Sequence, residues 1–315
     1  MDESDPCMPS STFKSDLFLL TTALIWGTAF VAQRVGMEYI GPFTYSAVRF
    51  SLGAAALLPL ALMTYRRGVF VTNLVPGSFA RRYLVGGGLA GVVLFAGASL
   101  QQVGLVYTTA GNAGFITGLY VVFVPIMGLF WGQRTNAGTW IGALLAVAGL
   151  YLLSVEQDLQ ISRGDFLVFC GAIAWAGHTH VLARLAPGSD PLMLAVAQFS
   201  TCALLSWISA IGLEAIGWSG IYAAAIPILY GGLLSVGIAY TLQVVAQRHA
   251  HPAHASIFLS LEAVFAAIAG WLILSERLTP RALAGCALML SAMLLTQLYA
   301  YFTDKKDQAK ATQEG

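Results

Sequence analysis

Charge is scarce in this sequence of 315 residues: Asp, Glu, Lys and Arg make up 10% of it, against 57% hydrophobic residues. Soluble domains carry roughly 25% charged residues. A chain this poor in charge cannot cover a water-exposed surface, and the charges it has are segregated. Leu17 to Val31 and Leu84 to Val106 carry none, and Ala253 to Leu274 carries only Glu262. The N-terminal segment, with Asp2, Glu3, Asp5 and Asp16 against the single Lys14, lacks the basic n-region and following small-residue site of a cleaved signal peptide, so the first apolar stretch is expected to be retained. A net charge of +1 gives no basis for nucleic-acid binding. The four cysteines, Cys7, Cys170, Cys202 and Cys286, lack metal-ligand spacing, and three of them fall in apolar stretches, as packing residues do. There is no P-loop of the form GxxxxGK[ST] and no HExxH, which removes nucleotide hydrolysis by that route and zincin chemistry. Nothing calls for a cofactor or a metal.

What is present in abundance is apolar runs. Runs of about 20 residues span a hydrocarbon core about 30 Å thick. A strand-built barrel would need polar and apolar residues alternating in segments of about ten, which do not occur. Punctuation by charge, Pro and Gly predicts ten transmembrane helices near 16–34, 43–65, 82–106, 111–132, 137–154, 164–184, 190–211, 222–246, 252–274 and 280–302. Very short joints make neighbouring helices antiparallel hairpins. With the N-terminus cytoplasmic, the inner segments hold Lys14, Arg66, Arg67, Arg81, Arg82, Arg134, Arg184, Arg248, Lys305, Lys306 and Lys310, and the outer ones Arg34, Arg163, Arg277 and Arg281. That bias places both termini in the cytoplasm.

The chain also resembles itself. The stretch from Tyr120 matches that from Ala263 at a shift of 143 residues, and Ala23 to Trp26 and Val48 to Ser51 lie over Ala172 to Trp175 and Ala197 to Ser200 at a shift of 149. The expected fold class is therefore an all-α polytopic membrane protein with ten transmembrane helices in two inverted five-helix repeats. Its parts are a cytoplasmic tail 1–15, a repeat 16–154, a second repeat 164–302 and a cytoplasmic tail 303–315. Five helices per copy force the second to enter the membrane from the opposite side, an arrangement that recurs in carriers with a midplane site.

The segments ALIWGTAFVAQRVG near the start, VRFSLGAAALL in the second helix and SLEAVFAAIAGWLILSERLTPRALAGCALML at the end resemble the drug/metabolite transporter superfamily, in its ten-helix EamA branch. The resemblance runs from Lys14 to Phe302. It implies a secondary transporter of the cell (inner) membrane that exports amino acids, aromatic ones included, or related small metabolites. A channel-like facilitator and an intramembrane enzyme are the rival classes. The family often has Pro where Ala263 stands, which predicts a straighter ninth helix here. Gln133, counterpart of Glu276, removes one loop charge.

Ionisable groups at bilayer depth cost several kcal/mol unless paired or hydrated, so they face the bundle interior. The clear candidates are Arg49, His178, His180 and Glu262. At 1.5 Å rise per residue Glu262 lies near the midplane and Arg49 about 10 Å below the outer surface. The repeat places Arg49 over Gln198 and Glu262 over Leu119. Either Arg49 and Glu262 line the cavity, with Glu262 binding a substrate amino group or a proton and Arg49 a carboxylate, or they form a structural ion pair. His178 and His180 point about 200° apart on a helix, so one at most faces the cavity, and His178 shares a face with Trp175. Asn112 lies seven residues before Leu119, on the face that matches Glu262. Gln101, Gln102, Gln198, Gln243 and Gln247 need partners at depth, as cavity residues or as glue between helices. Trp26 and Trp175 are repeat mates that could stack on a solute or pack in the core, and Tyr240 joins them. Trp218 and Tyr222 read as interfacial anchors. His249, His251 and His254 form HxHxxH, but no carboxylate or cysteine completes a ligand set, and Pro252 interrupts the helix. The expected partners are a small-molecule substrate and the lipid bilayer, with proton coupling open through Glu262 and the oligomeric state undefined.

Overall fold

The computed structural model describes residues 9–68, 80–132, 137–154, 162–187, 189–248 and 252–275, with 277, 279–281, 283–292, 295 and 299 beyond them. Among the described residues every regular element is helical. The elements are α1 (Pro9–Gly36), α2 (Pro42–Arg66), a π-helical turn Ala80–Gly86 leading into α3 (Gly87–Leu105), α4 (Ala110–Gly118), α5 (Tyr120–Phe130), α6 (Ala137–Ser154), α7 (Arg163–Leu185) and α8 (Pro191–Leu213). They continue as α9 (Trp218–Ala223), α10 (Ala225–Leu229), a π-helical segment Tyr230–Tyr240, α11 (Thr241–Ala246), α12 (Pro252–Leu259), α13 (Glu262–Leu274) and α14 (Leu283–Ala292). Seven helical segments, Lys14–Gly36, Pro42–Arg66, Arg81–Leu105, Ala110–Phe130, Arg163–Leu185, Pro191–Leu213 and Ala225–Ala246, are long and apolar enough to cross a membrane. Three further apolar helices, Ala137–Gly149, Glu262–Leu274 and Leu283–Ala292, are shorter.

Local sequence explains the helix ends. Pro42 and Pro191 occupy first-turn positions where the missing N–H costs nothing. Asp190 caps α8, its Oδ1 accepting from the Leu192 and Met193 amides at 2.9 and 3.1 Å. Ser162 and Asp165 form a reciprocal capping box on α7. Gly41, the residue before α2, has no side chain to cap with. The cap comes instead from Glu214 at the end of α8, whose carboxylate accepts from Phe43 N (2.7 Å), Thr44 N (2.8 Å) and Thr44 Oγ1 (2.6 Å). At the ends of α2 and α5, Gly68 and Gly132 take positive φ angles of 62° and 71°, conformations open to a residue without Cβ.

In the bundle α2 runs along α8, α3 along α7 and α8, α1 along α13 and the Tyr230–Tyr240 segment, and α4 and α5 along α7. Small residues set these approaches, as is usual between helices in lipid. A Cβ on Gly27 would lie 2.4 Å from Phe265 Cβ and 2.6 Å from the Glu262 carbonyl, so α1 and α13 touch almost backbone to backbone.

Two predicted helices are broken. The stretch 111–132 divides at Leu119 into α4 and α5, and 252–274 divides at Ser260 and Leu261 into α12 and α13. At both joints hydrogen bonds shorten to a three-residue span: Leu119 N to Ile116 O and Val122 N to Leu119 O, and Leu261 N to Phe258 O and Ala263 N to Ser260 O. The ninth predicted helix is thus interrupted although it lacks the proline. The break coincides with the tightened turn at Ser260 and Leu261, next to the close approach of α1 at Gly27. The stretch 222–246 is likewise not one regular α-helix. It has a π-wound centre preceded by the short α9, whose Trp218 and Tyr222 are exposed, as membrane-interface residues are.

Candidate functional site: a polar cavity in the centre of the bundle

Ten helical segments contribute to one cavity. Trp26, Phe30 and Gln33 enter from α1, Arg49 from α2, Gln101 from α3, Thr117 from α4 and Tyr120 from α5. Trp175, His178 and Thr179 come from α7, Ser235 and Tyr240 from the π-helical segment, Gln243 from α11, and Leu259 and Glu262 from the two sides of the α12–α13 joint. Both helix joints therefore deliver residues to the cavity, Thr117 and Tyr120 from one and Leu259 and Glu262 from the other.

One wall is a closed hydrogen-bond chain. Trp175 Nε1 donates to Gln101 Oε1 (2.9 Å), which also accepts from Thr117 Oγ1 (3.4 Å), while Gln101 Nε2 donates to Gln33 Oε1 (3.3 Å) and Gln33 Nε2 to the Ala29 carbonyl (3.2 Å). His178 Nε2 is bonded to Gln198 Oε1 at 2.8 Å. A second wall is aromatic and centred on Tyr240, whose ring lies 4.5 Å from Trp26, 6.2 Å from Trp175 and 5.6 Å from Phe199. Trp26 Nε1 is tied to the Ser235 carbonyl at 3.2 Å, which fixes the indole over the cavity.

The two charges stand outside these networks. Arg49, 3% exposed, lies over the rings of Phe50 (4.9 Å) and Tyr45 (5.4 Å), and its buried Nε has no hydrogen-bond partner. Glu262, 4% exposed, is the first residue of α13 and lies beside the Tyr120 hydroxyl, which completes no hydrogen bond of its own. Tyr240 is close enough to feel both charges. Among the described residues no ion pair joins Arg49 to Glu262, so the structural ion pair allowed by the sequence is not formed.

Seven of the eight residues singled out from the sequence, Arg49, Glu262, His178, Trp26, Trp175, Gln101 and Tyr240, line this one cavity. Asn112 does not. It sits in the first turn of α4, where its amide N–H donates to the capping Thr109 Oγ1, nearer the helix start than the cavity; Thr117, five residues on, reaches the cavity instead. His180 turns away, with Nε2 against the Val124 carbonyl at 2.7 Å and its ring against Trp131. His249 and His251 of the HxHxxH motif lie outside the described residues, and among those described no group of three His, Cys, Asp or Glu could hold a metal. Residues that sequence reasoning passed over include Gln33, Thr117 and Ser235. A signal existed for Gln33, seven residues after Trp26 and so on its helical face. None existed for Ser235, because a π-helical winding shifts every face downstream of it.

An all-helical, multi-pass membrane protein with a buried polar and charged cavity belongs among the membrane transporters. The sequence matches the EamA-like transporter family twice, over residues 13–155 and 162–298, and the chain belongs to that family. Among its relatives, an uncharacterized transporter of Archaeoglobus fulgidus is 30% identical over 286 residues, covering 90% of this chain and 86% of that protein. The uncharacterized transporter YoaV of Bacillus subtilis is 23% identical over 282 residues (87% and 93%). The uncharacterized inner membrane transporter YedA of Escherichia coli K12 is 24% identical over 300 residues (91% and 92%). A crystal structure with 18% sequence identity superimposes with a TM-score of 0.72 over 92% of this chain and 98% of the other, a likeness of fold.

Proposed function

We propose that this chain is a secondary transporter that exports small organic metabolites of amino-acid type, aromatic ones included, by alternating access around the central cavity. One observation carries the reading: Arg49 and Glu262, of opposite charge and in no ion pair among the described residues, line a single buried cavity walled by Trp26, Trp175 and Tyr240. A zwitterion offers a carboxylate to Arg49 and an ammonium to Glu262, and the indoles and phenol suit a flat or cationic side chain. Protonation of Glu262 in place of ammonium binding would link export to a proton gradient.

The reading includes ten spans in two five-helix units, 16–154 and 164–302, inserted in opposite senses with both termini cytoplasmic. Three observations support it. The family match occurs twice in succession. The starts of α5 and α13 (120 and 262) are 142 residues apart, which sets Tyr120 rather than Leu119 opposite Glu262. The helix packing also maps onto itself when the halves are exchanged: α1 on α13 becomes α7 on α4 and α5, α3 on α7 becomes the Tyr230–Tyr240 segment on α1, and α2 on α8 is its own mate.

The test is counterflow in proteoliposomes across a panel of amino acids, nucleosides, sugars and lipophilic cations, with and without a pH gradient. Saturable flux of amino acids, reduced in Glu262→Gln and in Arg49→Gln, is expected. Flux linear in concentration would make the protein a channel-like facilitator, and movement of none of the panel would refute the transporter mechanism.

A further inference from the structure

The two halves are not equivalent where the charges sit. In the second half His178 on α7 satisfies Gln198 on α8 at 2.8 Å. Moving back 149 residues, Gln198 becomes Arg49 and His178 becomes Ala29, a methyl group where the second half has an imidazole. Arg49 is thus left without the partner its counterpart has, and its buried Nε is unsatisfied. At the other pair of counterparts Tyr120 faces Glu262, again without a basic partner. Of the neighbouring polar groups, Gln33, Gln101 and Thr117 are already bonded to one another and to Trp175, and Gln243, whose Oε1 has no partner, brings a neutral amide but no charge.

A cavity that alternates between the two sides of a membrane must pass through a closed state with little water in it. Closing on solute, the cavity encloses two charges matched by the solute's own. Closing empty, it strands the Arg49 guanidinium, and the Glu262 carboxylate wherever no proton replaces the solute's ammonium, in a low-dielectric interior, and an uncompensated buried charge is strongly unfavourable. We propose that this protein is an exchanger: the solute-loaded form reorients readily, the empty form does so rarely, and outward movement of one zwitterion is tied to inward movement of another. The claim rests on the transporter reading above and adds to it the mode of transport.

The experiment uses full-length protein in liposomes loaded with a ¹⁴C-labelled mixture of the twenty amino acids. Efflux of label is timed into plain buffer and into buffer holding the same mixture unlabelled. Exchange should run on the order of 100-fold faster than net efflux, which corresponds to a barrier difference of about 2.7 kcal/mol. Equal rates in the two buffers overturn the exchange mechanism while leaving a carrier in place. Absence of saturable movement in both overturns the carrier reading and the exchange with it. In the double variant Arg49→Gln, Glu262→Gln the cavity is neutral, so the ratio should fall toward one even if exchange itself slows. A ratio that stays at the wild-type value shows that these charges are not its cause. If that variant does not fold, the wild-type ratio alone decides.

Discussion

Replacing Glu214 by alanine removes the side-chain cap on the first turn of α2. The wild-type carboxylate reaches from the end of α8 to bind two backbone amides and one hydroxyl at 2.6–2.8 Å. A helix cap is worth about 1 kcal/mol, and a charged acceptor at the positive end of the helix dipole adds about 0.3–1 kcal/mol. Hydrogen bonds to charged groups fall at about 1.5–3 kcal/mol each when buried, but Glu214 is only half-buried, so about 2 kcal/mol in total is the reasoned figure. At 1.36 kcal/mol per decade, opening of that turn becomes about 30-fold more frequent. Hydrogen–deuterium exchange of a peptide spanning Gly41 to Ser46, measured in lipid nanodiscs, reads this directly. Glu214→Gln keeps one acceptor oxygen and should give an intermediate rate. Gly41→Ala should mimic Glu214→Ala, because a Cβ there would lie 2.2–2.5 Å from the carboxylate atoms. Unchanged protection in Glu214→Ala would show that water caps the turn equally well, and the clasp between α8 and α2 would then have no energetic content.

Gln101→Leu should lower stability by about 1–3 kcal/mol, since it orphans the part-buried indole N–H of Trp175 and the buried Gln33 side chain; thermal unfolding in detergent followed by tryptophan emission measures it, and a melting point equal to wild type would contradict the bonded wall. Gly27→Val should abolish a monodisperse gel-filtration peak or displace Glu262, because even a Cβ meets Phe265 at 2.4 Å. A variant that purifies normally and transports at the wild-type rate would contradict the close packing of α1 on α13. A topology reporter fused after Lys310 should read out as cytoplasmic; an extracytoplasmic signal would reverse the orientation.

Much was legible before folding because the bilayer is a severe solvent. Charge so rare in apolar runs can only be tolerated facing inward, so Arg49, His178 and Glu262 could be placed in the interior from composition and spacing. Trp26, Trp175, Gln101 and Tyr240 followed as aromatic or polar positions at the same depth. Asn112 was expected at the cavity from an offset of 143 residues and from helical phase continued across Leu119, and it sits in the first turn of α4 instead. The helix breaks at Leu119, so phase is not conserved through the joint. The same break explains why the sequence did not set Tyr120 beside Glu262.

By itself the sequence determined that this chain lies in a membrane as packed helices, that it belongs with the EamA-like transporters, and that its few buried charges face inward. Those conclusions depend on hydration cost, which is set residue by residue. Only the tertiary structure decided that Arg49 and Glu262 remain apart, that Gln33, Gln101, Thr117 and Trp175 close one bonded wall, that His178 is committed to Gln198, and that Glu214 of one half caps a helix of the other. Each of these depends on where helix joints and π-helical turns redirect side chains across distances of up to 171 positions in the chain, and no local pattern encodes such a redirection.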